Sequence, residues 1–452
     1  MCRILLLQTL AAALFLSACS VAEDSSVSSP ALTGELTDVG YWLKRQSDPE
    51  ALLCSSAELD TINASLRALP DSGLQDLAAL PGSISQDQAG SLIAHCARHL
   101  TYDRAPALYA GKSPLSEAQY RVALANQNLS GLPEQVQLGY ALLLRRSAVR
   151  VLPTLQGWYS QSGDYNYDNL QMSVLNPGEG VRVVHHSRDG QFAFIVGGNV
   201  SGWVRTADLA VAERSVWLSC VRPSRLLVVT APQLTLDTGT ERVLLEMGST
   251  LPYVGESSAG ALTRLPVMMQ GKLQFSEVTL GDPRSYHLGF LPYTRGNVLR
   301  QALRCLGLVY GWGGQNEGVD CSALVQNVYR SMGLYLPRNS RAQISSLLAL
   351  QKSRGAECGA AERLCGRGVF ASGALWYKPG HIALYLGEDE RGEGVMLHSL
   401  SSYYTREGDR LEKHYLRRVV VSHQDYLVAG GRSFAQSVLD RVDPAALCRC
   451  SP

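Results

Sequence analysis

The N-terminal part of the chain carries the hydrophobic spacing of helices. Leu59, Ile62 and Leu66 recur at intervals of three and four residues, which places them on one face of a helix. Ser116 stands before a similar segment as a capping residue. This pattern predicts a mostly helical domain over residues 36–145.

At about residue 151 the spacing changes to the alternation that is typical of strands. Residues 181–186 alternate between two faces, and the Asp189-Gly190 pair after them is a strong hairpin signal. We therefore predict a small barrel over residues 146–215. A second strand-rich block, again divided by glycine turns, predicts another small barrel over residues 222–292.

The last third of the chain, residues 293–440, mixes helix and strand patterns. A glycine-rich loop leads to Cys321, after which apolar residues at helical spacing predict a helix with Asp320 as its N-cap. Two strands follow, one that starts at His381 and one that ends at His398, with a polar turn between them. The pattern predicts an α+β domain.

Cys321, His381 and His398 form a candidate catalytic group. The positive end of a helix dipole stabilises a thiolate, and the free N–H groups there can hold an oxyanion. A turn centred near Glu390 makes the two histidines approximate cross-strand partners. We expect Cys321 to be the nucleophile, His381 the general base, and His398 the group that orients the base through its second ring nitrogen.

Composition and charge exclude several classes of protein. The 452 residues are 46% hydrophobic and 18% charged, so the chain is neither disordered nor a coiled coil, and its length implies two to four domains. Lys and Arg number 41 against 40 Asp and Glu, and no stretch has the basic excess of a nucleic-acid groove. Nucleic acid is therefore not an expected partner. Residues 441–452 are predicted to be a tail.

Residues 1–18 have the features of a secretory signal peptide. Arg3 precedes an apolar run too short to span a bilayer, and the run ends in Leu-Ser-Ala before Cys19. This ending resembles the bacterial lipobox, which implies that Cys19 is acylated, and Ser20 after it favours the outer membrane, facing the periplasm. The alternative is an ordinary signal peptide with an idle or paired Cys19. The serine-rich residues 19–35 are interpreted as a tether.

The number of cysteines fits an oxidising compartment. Of the eleven, Cys2 leaves with the signal, Cys19 would carry lipid and Cys321 is the candidate nucleophile, so eight remain for as many as four disulfides. The local pairings that we consider are Cys54 with Cys96 and Cys358 with Cys365. His95 and His99 flank Cys96 at helical spacing, but no third ligand is evident, so we expect no metal and no cofactor.

Four motifs in the last third occur in an order known from one protein family. They resemble the NlpC family of papain-like bacterial cell-wall endopeptidases. The motifs are Tyr-Gly-Trp-Gly-Gly at 310–314, Asp-Cys-Ser at 320–322, Leu-Pro-Arg-Asn-Ser at 336–340 and Gly-His-Ile-Ala-Leu-Tyr-Leu-Gly at 380–387. The run from Glu179 to Trp203 resembles the bacterial SH3-like barrels of cell-wall enzymes, and the second strand-rich block resembles them only in size and turn spacing.

The resemblance implies a multidomain protein with a helical N-terminal segment, two small all-β SH3-like barrels and a C-terminal α+β papain-like domain. It also implies hydrolysis of the bond between the γ-carboxyl of D-glutamate and a diamino acid in peptidoglycan stem peptides or muropeptides. The residues that match substrate subsites are Asp320, Ser322, Tyr310, Trp312 and Ser340. If the first barrel closes the cleft, the substrate would begin with a free L-Ala amine, for which Asp320 and then Glu179 are the expected partners.

Two other hypotheses stay open at this point. One is a catalytically silent lipoprotein whose barrels bind the cell wall, against which the intact Cys321, His381 and His398 argue. The other is a papain-like amidase or acyltransferase that acts on lipids, which would need an apolar pocket beside the thiol. All of these hypotheses place the protein in the cell envelope, attached to a lipid membrane through Cys19.

Overall fold

The computed structural model describes residues 29–102, 107–358 and 370–450. The predicted signal peptide, Cys19 and the Cys365 partner proposed for Cys358 lie outside these residues. None of the described helices is long and apolar enough to cross a membrane.

Short helices and short strands alternate in the N-terminal part. Ser55, Ser85 and Ser116 begin three of the helices with capping boxes, in which the serine hydroxyl accepts from a backbone N–H three residues later. The elements are α1 (Val39–Leu43), β1 (Leu52–Cys54), α2 (Ser56–Ala68), β2 (Ser83–Ser85), α3 (Gln86–Ala97), β3 (Tyr109–Ala110), β4 (Ser113–Pro114), α4 (Glu117–Ala125) and β5 (Gln135–Gln137).

Each hydrophobic cluster that contains described residues of the N-terminal segment also contains residues of a later module, and one of them joins residues 97–124 to residues 151–170 of the first barrel. Trp42 and Ile62 pack in the same hydrophobic cluster as Cys321, whereas Ile93 packs in the cluster of Trp203. The prediction of one helical domain over 36–145 is therefore wrong in this respect, because the segment divides its apolar side chains between two neighbouring modules.

The first barrel is built on a seven-stranded antiparallel sheet with the order β13-β6-β10-β11-β12-β7-β9. Its central strand β11 is buried at all five positions because it has a neighbour on each side and side chains packed on both faces. The sheet starts at Gly139, earlier than the predicted boundary at 146. The elements are β6 (Gly139–Leu143), β7 (Ser147–Arg150), β8 (Trp158–Tyr159), β9 (Gln171–Leu175), β10 (Gly180–His186), β11 (Phe192–Val196), β12 (Ser201–Arg205) and β13 (Leu209–Val211).

The second strand-rich block has a separate hydrophobic cluster that includes Leu227, Leu245 and Leu265. It forms a five-stranded sheet with the order β19-β18-β17-β14-β20 and the hairpin β15-β16. The elements, which follow α5 (Arg214–Val221), are β14 (Leu226–Val229), β15 (Gln233–Asp237), β16 (Arg242–Glu246), β17 (Thr250–Ser257), β18 (Gly260–Met269), β19 (Lys272–Leu280) and β20 (Tyr286–Leu288).

The C-terminal domain packs helices against a five-stranded antiparallel sheet with the order β25-β24-β23-β22-β26. Its elements are β21 (Tyr293–Thr294), α6 (Arg295–Arg304), α7 (Cys321–Arg330), α8 (Ser340–Cys358), β22 (Leu375–Lys378), β23 (His381–Glu388), β24 (Gly394–Glu407), β25 (Arg410–His423), α9 (Phe434–Ser437) and β26 (Asp440–Val442). Leu324 and Val328 of α7 are buried in its core with Leu384 of β23.

Both ends of the described chain join this domain. The backbone N–H of Leu32, in the predicted tether, donates to the Val421 carbonyl at 2.8 Å. In the predicted tail, β26 pairs with β22, and Leu447 is buried. The tether and tail predictions are therefore wrong for these residues.

Cys54 forms a disulfide with Cys448, so the predicted pairing of Cys54 with Cys96 is wrong. Cys96 lies instead on α3, which faces the first barrel, and its sulfur is 3.4 Å from the Met172 sulfur. The disulfide joins β1 to the C-terminal turn after β26 across a sequence separation of 394 residues. Cys96, Cys220, Cys305 and Cys321 are free thiols.

Candidate active site

Cys321 is the first residue of α7. Asp320 is the N-cap, and its carboxylate accepts from the Ala323 N–H at 2.9 Å. The backbone N–H groups of Ile382 and Ser322 are near enough to the thiol to act against the rise of its pKa, which places the sulfur beside the start of β23. Burial, together with the nearby Asp320 charge, raises the pKa of Cys321 to about 12.

The two histidines form a hydrogen-bonded chain that ends at a serine. His381 Nε2 and His398 Nδ1 are 2.8 Å apart, and His398 Nε2 is 3.0 Å from the Ser422 hydroxyl. That hydroxyl donates its proton to the His423 carbonyl at 3.0 Å. All three side chains are buried.

This chain fixes the tautomers of both rings. Since the Ser422 hydroxyl gives its proton to a carbonyl, it must accept from His398 Nε2–H, which leaves His398 Nδ1 as an acceptor. His381 Nε2–H then donates to that nitrogen, and His381 Nδ1 carries a lone pair. His398 thus sets the orientation of the His381 ring, and His381 Nδ1 is left able to accept a proton.

The strand register brings the histidines together diagonally. Leu384 pairs with Leu397, so His398 lies diagonally across from His381 and not directly opposite. The rings of Tyr426 and Phe434 pack against the two imidazoles. Burial lowers the pKa of His398 to about 3 and, with the neighbouring His398 as a further cause, lowers the pKa of His381 well below its ordinary value. Both rings are therefore neutral at rest.

Asp320 is bound by Arg338 and not left free beside the thiol. Arg338 Nη2 donates to one carboxylate oxygen at 2.7 Å and Nη1 to the other at 3.2 Å. The Ser322 hydroxyl and the Gly313 N–H donate to the same carboxylate. Although burial acts in the opposite direction, Arg338 and these hydrogen bonds hold the pKa of Asp320 below its ordinary value.

The first barrel packs directly on the glycine-rich loop before α7. Gln171 Nε2 donates to the Gly313 carbonyl at 2.9 Å, and Ser173 Oγ accepts from Arg338 Nε at 2.7 Å. A Cβ atom on Gly313 would lie 2.8 Å from Gln171, and one on Gly314 would lie 2.7 Å from the side chain of Val174. Both glycines also have positive φ, which residues with a Cβ atom rarely adopt. The backbone conformation and the lack of space for a Cβ atom therefore both require glycine at these positions.

Tyr310 and Trp312 line one side of the site together with Tyr167 of the barrel. The Tyr167 ring centroid is 6.2 Å from each of the other two rings. The Tyr167 hydroxyl also donates to Ser401 Oγ at 3.1 Å. Trp312 stays 42% exposed, so an aromatic surface on the loop before α7 is open to a ligand.

The remaining predicted substrate residues lie in different places. Ser322 belongs to the Asp320 network, and Ser340 is the first residue of α8. Glu179 is not brought to Cys321: it contacts Arg330 Nη1 at 3.4 Å, at the other end of α7 and about 13 Å along the helix axis. Glu179 and Asp320 are therefore not placed to contact one substrate amine together, as was predicted. Glu179 belongs to the part of the barrel at the C-terminal end of α7, whereas Asp320 precedes the N-terminal end of the helix.

Three residues of the site were given no role from the sequence. Arg338 lies inside the motif at 336–340, but its ion pair with Asp320 becomes apparent only in the folded structure. Ser422 follows three valines, and a single hydroxyl within so apolar a strand was the available signal. Tyr167 lies on the barrel and carries no local signal.

One group of described side chains has the donor atoms for a metal ion. Asp389 and Glu393, in the turn between β23 and β24, and His423, the last residue of β25, place one ligand atom each within 4.8 Å of one another. His423 Nδ1 already lies 3.4 Å from Glu393 Oε2. This turn is at the opposite end of β23 from His381, so the group is separate from the thiol site.

Comparison with known proteins identifies two parts of the chain. Residues 158–205 match the SH3 domain of the SH3b1 type, and residues 307–424 match the NlpC/P60 family. Residues 307–424 are an NlpC/P60 domain. The expectation of this family with a preceding SH3-like barrel is confirmed, and so is the coarser prediction of a multidomain protein with mixed α/β content.

A curated bacterial protein is similar to about a quarter of the chain. The bifunctional muramidase/DL-endopeptidase CwlT of Bacillus subtilis (strain 168) is 30% identical over 116 residues, 24% of this chain and 33% of that protein. The chain thus spans about a third of the length of this curated relative.

Solved structures extend the likeness in fold. An NlpC/P60 endopeptidase from Photobacterium damselae subsp. piscicida has a TM-score of 0.67 at 19% identity and covers 87% of this chain and 91% of its own. This match shows a shared fold beyond the NlpC/P60 domain. An NlpC/P60 family protein from Bacillus cereus ATCC 10987 has a TM-score of 0.41 at 16% identity, with 61% of this chain and 83% of that chain covered.

Proposed function

We propose that the protein is a cysteine endopeptidase that hydrolyses the bond between the γ-carboxyl of D-glutamate and a diamino acid in peptidoglycan stem peptides. The observation that carries the proposal is the buried chain from His381 through His398 to Ser422, which leaves His381 Nδ1 free to act as a base. His381 and Ile382 begin β23, and the Ile382 backbone lies near the Cys321 thiol. The muramidase and DL-endopeptidase activities in the name of CwlT support this substrate class.

The mechanism starts from a neutral thiol and a neutral imidazole, since burial disfavours both charged forms. His381 Nδ1 takes the thiol proton as the sulfur adds to the substrate carbonyl carbon. The backbone N–H of Cys321, at the start of α7, stabilises the resulting oxyanion. The imidazolium then gives its proton to the leaving amine of the diamino acid, and a thioester forms on Cys321.

Hydrolysis of the thioester completes the cycle. His381 Nδ1 removes a proton from water as its oxygen adds to the thioester carbonyl carbon, and the thiol leaves with that proton. Throughout, His398 accepts the His381 Nε2–H bond, which keeps His381 Nδ1 free to take up and return protons. The Ser422 hydroxyl holds His398 in the tautomer that makes this possible.

The first barrel supports a preference for short substrates. Tyr167, Gln171 and Ser173 lie against the loop and the arginine that border the thiol. We propose that the barrel limits the acyl side of the substrate to two residues, so that peptides with a free N-terminal L-Ala, already released from the glycan, are cleaved. We further propose that acylated Cys19 anchors the protein in the cell envelope, at the periplasmic face of the outer membrane.

The test is the cleavage of L-Ala-γ-D-Glu-diamino acid, read by product mass. Wild type should release the diamino acid, and Cys321→Ala should reduce turnover below detection. Cys305→Ala is the matched control, because Cys305 is another buried free thiol and should be dispensable. An active Cys321→Ala variant would overturn the mechanism. Equal cleavage of the N-acetylated peptide, or solubilisation of purified sacculi, would overturn the proposed preference alone.

A further inference from the structure

Lys378 lies at the edge of the thiol site and has no role in the chemistry described above. It is the last residue of β22, and the register places it directly opposite His381, the first residue of β23. Residues directly opposite in an antiparallel pair share one face of the sheet, with Cβ atoms about 5 Å apart. Only Pro379 and Gly380 separate the two strands, which fixes the lysine beside the general base.

The ammonium group of Lys378 is without an acidic partner in the described part of the chain. Its hydrogen bond is to the carbonyl of the next residue, Pro379, at 3.2 Å. No carboxylate among the described residues lies within 4.0 Å of Nζ. Burial lowers the pKa of Lys378, and the nearby Cys321 acts in the opposite direction. A half-buried cation that is satisfied only by a neighbouring carbonyl can gain from binding an anion.

The position of Lys378 determines which part of a substrate it meets. The base that receives the thiol proton hands it to the leaving amine, so His381 faces the leaving side of the scissile bond. Its direct neighbour across the strand pair therefore lies on that same side. The acyl side is occupied by the Asp320–Arg338 pair and by the barrel, where the charges are already balanced.

We propose that Lys378 binds a carboxylate of the diamino acid that leaves, and so determines specificity on that side of the cleft. The proposal rests on the proposed function, because that function makes a diamino acid the leaving group. Two carboxylates fit this chemistry: the main-chain carboxylate of a tripeptide, and the side-chain carboxylate of a diaminopimelate residue.

Three synthetic peptides distinguish these sources. The parent is L-Ala-γ-D-Glu-L-Lys with a C-terminal amide, which has neither carboxylate. The second has a free C-terminal carboxylate, and the third carries diaminopimelate with its side-chain carboxylate free and its main-chain carboxylate amidated. Wild type should cleave one or both of the acidic peptides with a kcat/KM roughly 10- to 100-fold above that of the parent, the range expected for a charge-assisted hydrogen bond.

The variant Lys378→Met removes the charge and keeps most of the length of the side chain. It should bring the ratio of kcat/KM between the acidic peptide and the parent close to one, mainly through KM, and Lys378→Arg should keep most of the ratio. Lys352→Met, at an exposed helix lysine, is the matched control and should retain the wild-type ratio. Thermal unfolding of each variant checks that it is folded.

Two results would overturn the role of Lys378 and leave the proposed function intact. One is a Lys378→Met variant that keeps the wild-type ratio. The other is a variant that loses kcat/KM equally on all three peptides and shows a shifted pH dependence of Cys321 alkylation. That result would mean that the lysine acts on the thiol. Failure of wild type to cleave any of the three peptides would instead overturn the proposed function, and this inference with it.

Discussion

Replacement of Ser422 by Ala tests the hydrogen-bonded chain without touching a reacting group. In the wild type the hydroxyl accepts from His398 Nε2–H at 3.0 Å. Without it, His398 is left with a buried unsatisfied donor or moves its proton to Nδ1. That second tautomer directs an N–H at His381 Nε2, which forces the His381 proton onto Nδ1, the nitrogen that must accept from Cys321.

The size of the effect follows from the burial of the lost acceptor. A buried donor without a partner costs about 1 to 3 kcal/mol. If that cost falls on the reactive tautomer, kcat should drop about 5- to 140-fold, since 1.4 kcal/mol corresponds to a factor of ten. KM should change little, because Ser422 is fully buried and does not contact the cleft.

The assay is steady-state hydrolysis of L-Ala-γ-D-Glu-diamino acid, with thermal unfolding measured in parallel. Ser331→Ala is the matched control: Ser331 is also fully buried, and its hydroxyl donates to the Val328 carbonyl, away from the histidines. This control should lose some stability and keep its kcat. A Ser422→Ala variant with wild-type kcat, or the same loss of kcat in Ser331→Ala, would refute the tautomer argument.

Three further predictions concern other parts of the chain. Arg338→Met should lower the free energy of unfolding by about 3 to 5 kcal/mol at pH 7, because it leaves Asp320 buried and unpaired. The loss should shrink near pH 4.5, because the variant can protonate the buried acid, whereas the wild type keeps the stability contributed by its depressed Asp320 pKa until the pH falls below the ordinary pKa range of Asp; unfolding at both pH values checks this. Cys54→Ala should lower the free energy of unfolding by roughly 2 to 5 kcal/mol, because it removes the Cys54–Cys448 disulfide. A reductant should lower the Tm of wild type and leave the Tm of the variant unchanged. An equal effect of the reductant on both proteins would mean that the disulfide does not contribute to stability. Cys19→Ser in a bacterial host should move the protein out of the membrane fraction, and unchanged fractionation would reject the lipid anchor.

The local features of the site could be predicted from the sequence. The N-cap at Asp320 and the helical spacing after Cys321 are encoded within a few neighbouring residues, so the placement of the thiol at a helix start was predictable. The sequence predicted His381 and His398 as direct cross-strand partners, and in the structure they are diagonal neighbours. The difference arises because the strands pair around a turn about one residue later than expected and a bulge lies between Tyr385 and Gly387.

Features that depend on distant packing could not be predicted. The Cys54–Cys448 disulfide joins residues 394 apart, and sequence proximity instead suggested Cys96. The place of Glu179 depends on how the barrel docks along α7, which no local pattern encodes. The same docking brings Tyr167 to the cleft. Asp320 was expected to be free for a substrate amine, but its neutralisation by Arg338 becomes evident only when both are buried together.

The central claim is tested most directly by hydrolysis of L-Ala-γ-D-Glu-diamino acid in water enriched in ¹⁸O, with products read by mass. The account predicts that wild type releases unlabelled diamino acid and L-Ala-D-Glu with one ¹⁸O atom in its γ-carboxyl group, and that Cys321→Ala releases neither. Cleavage between L-Ala and D-Glu, or labelled products at the wild-type rate from Cys321→Ala, would contradict it.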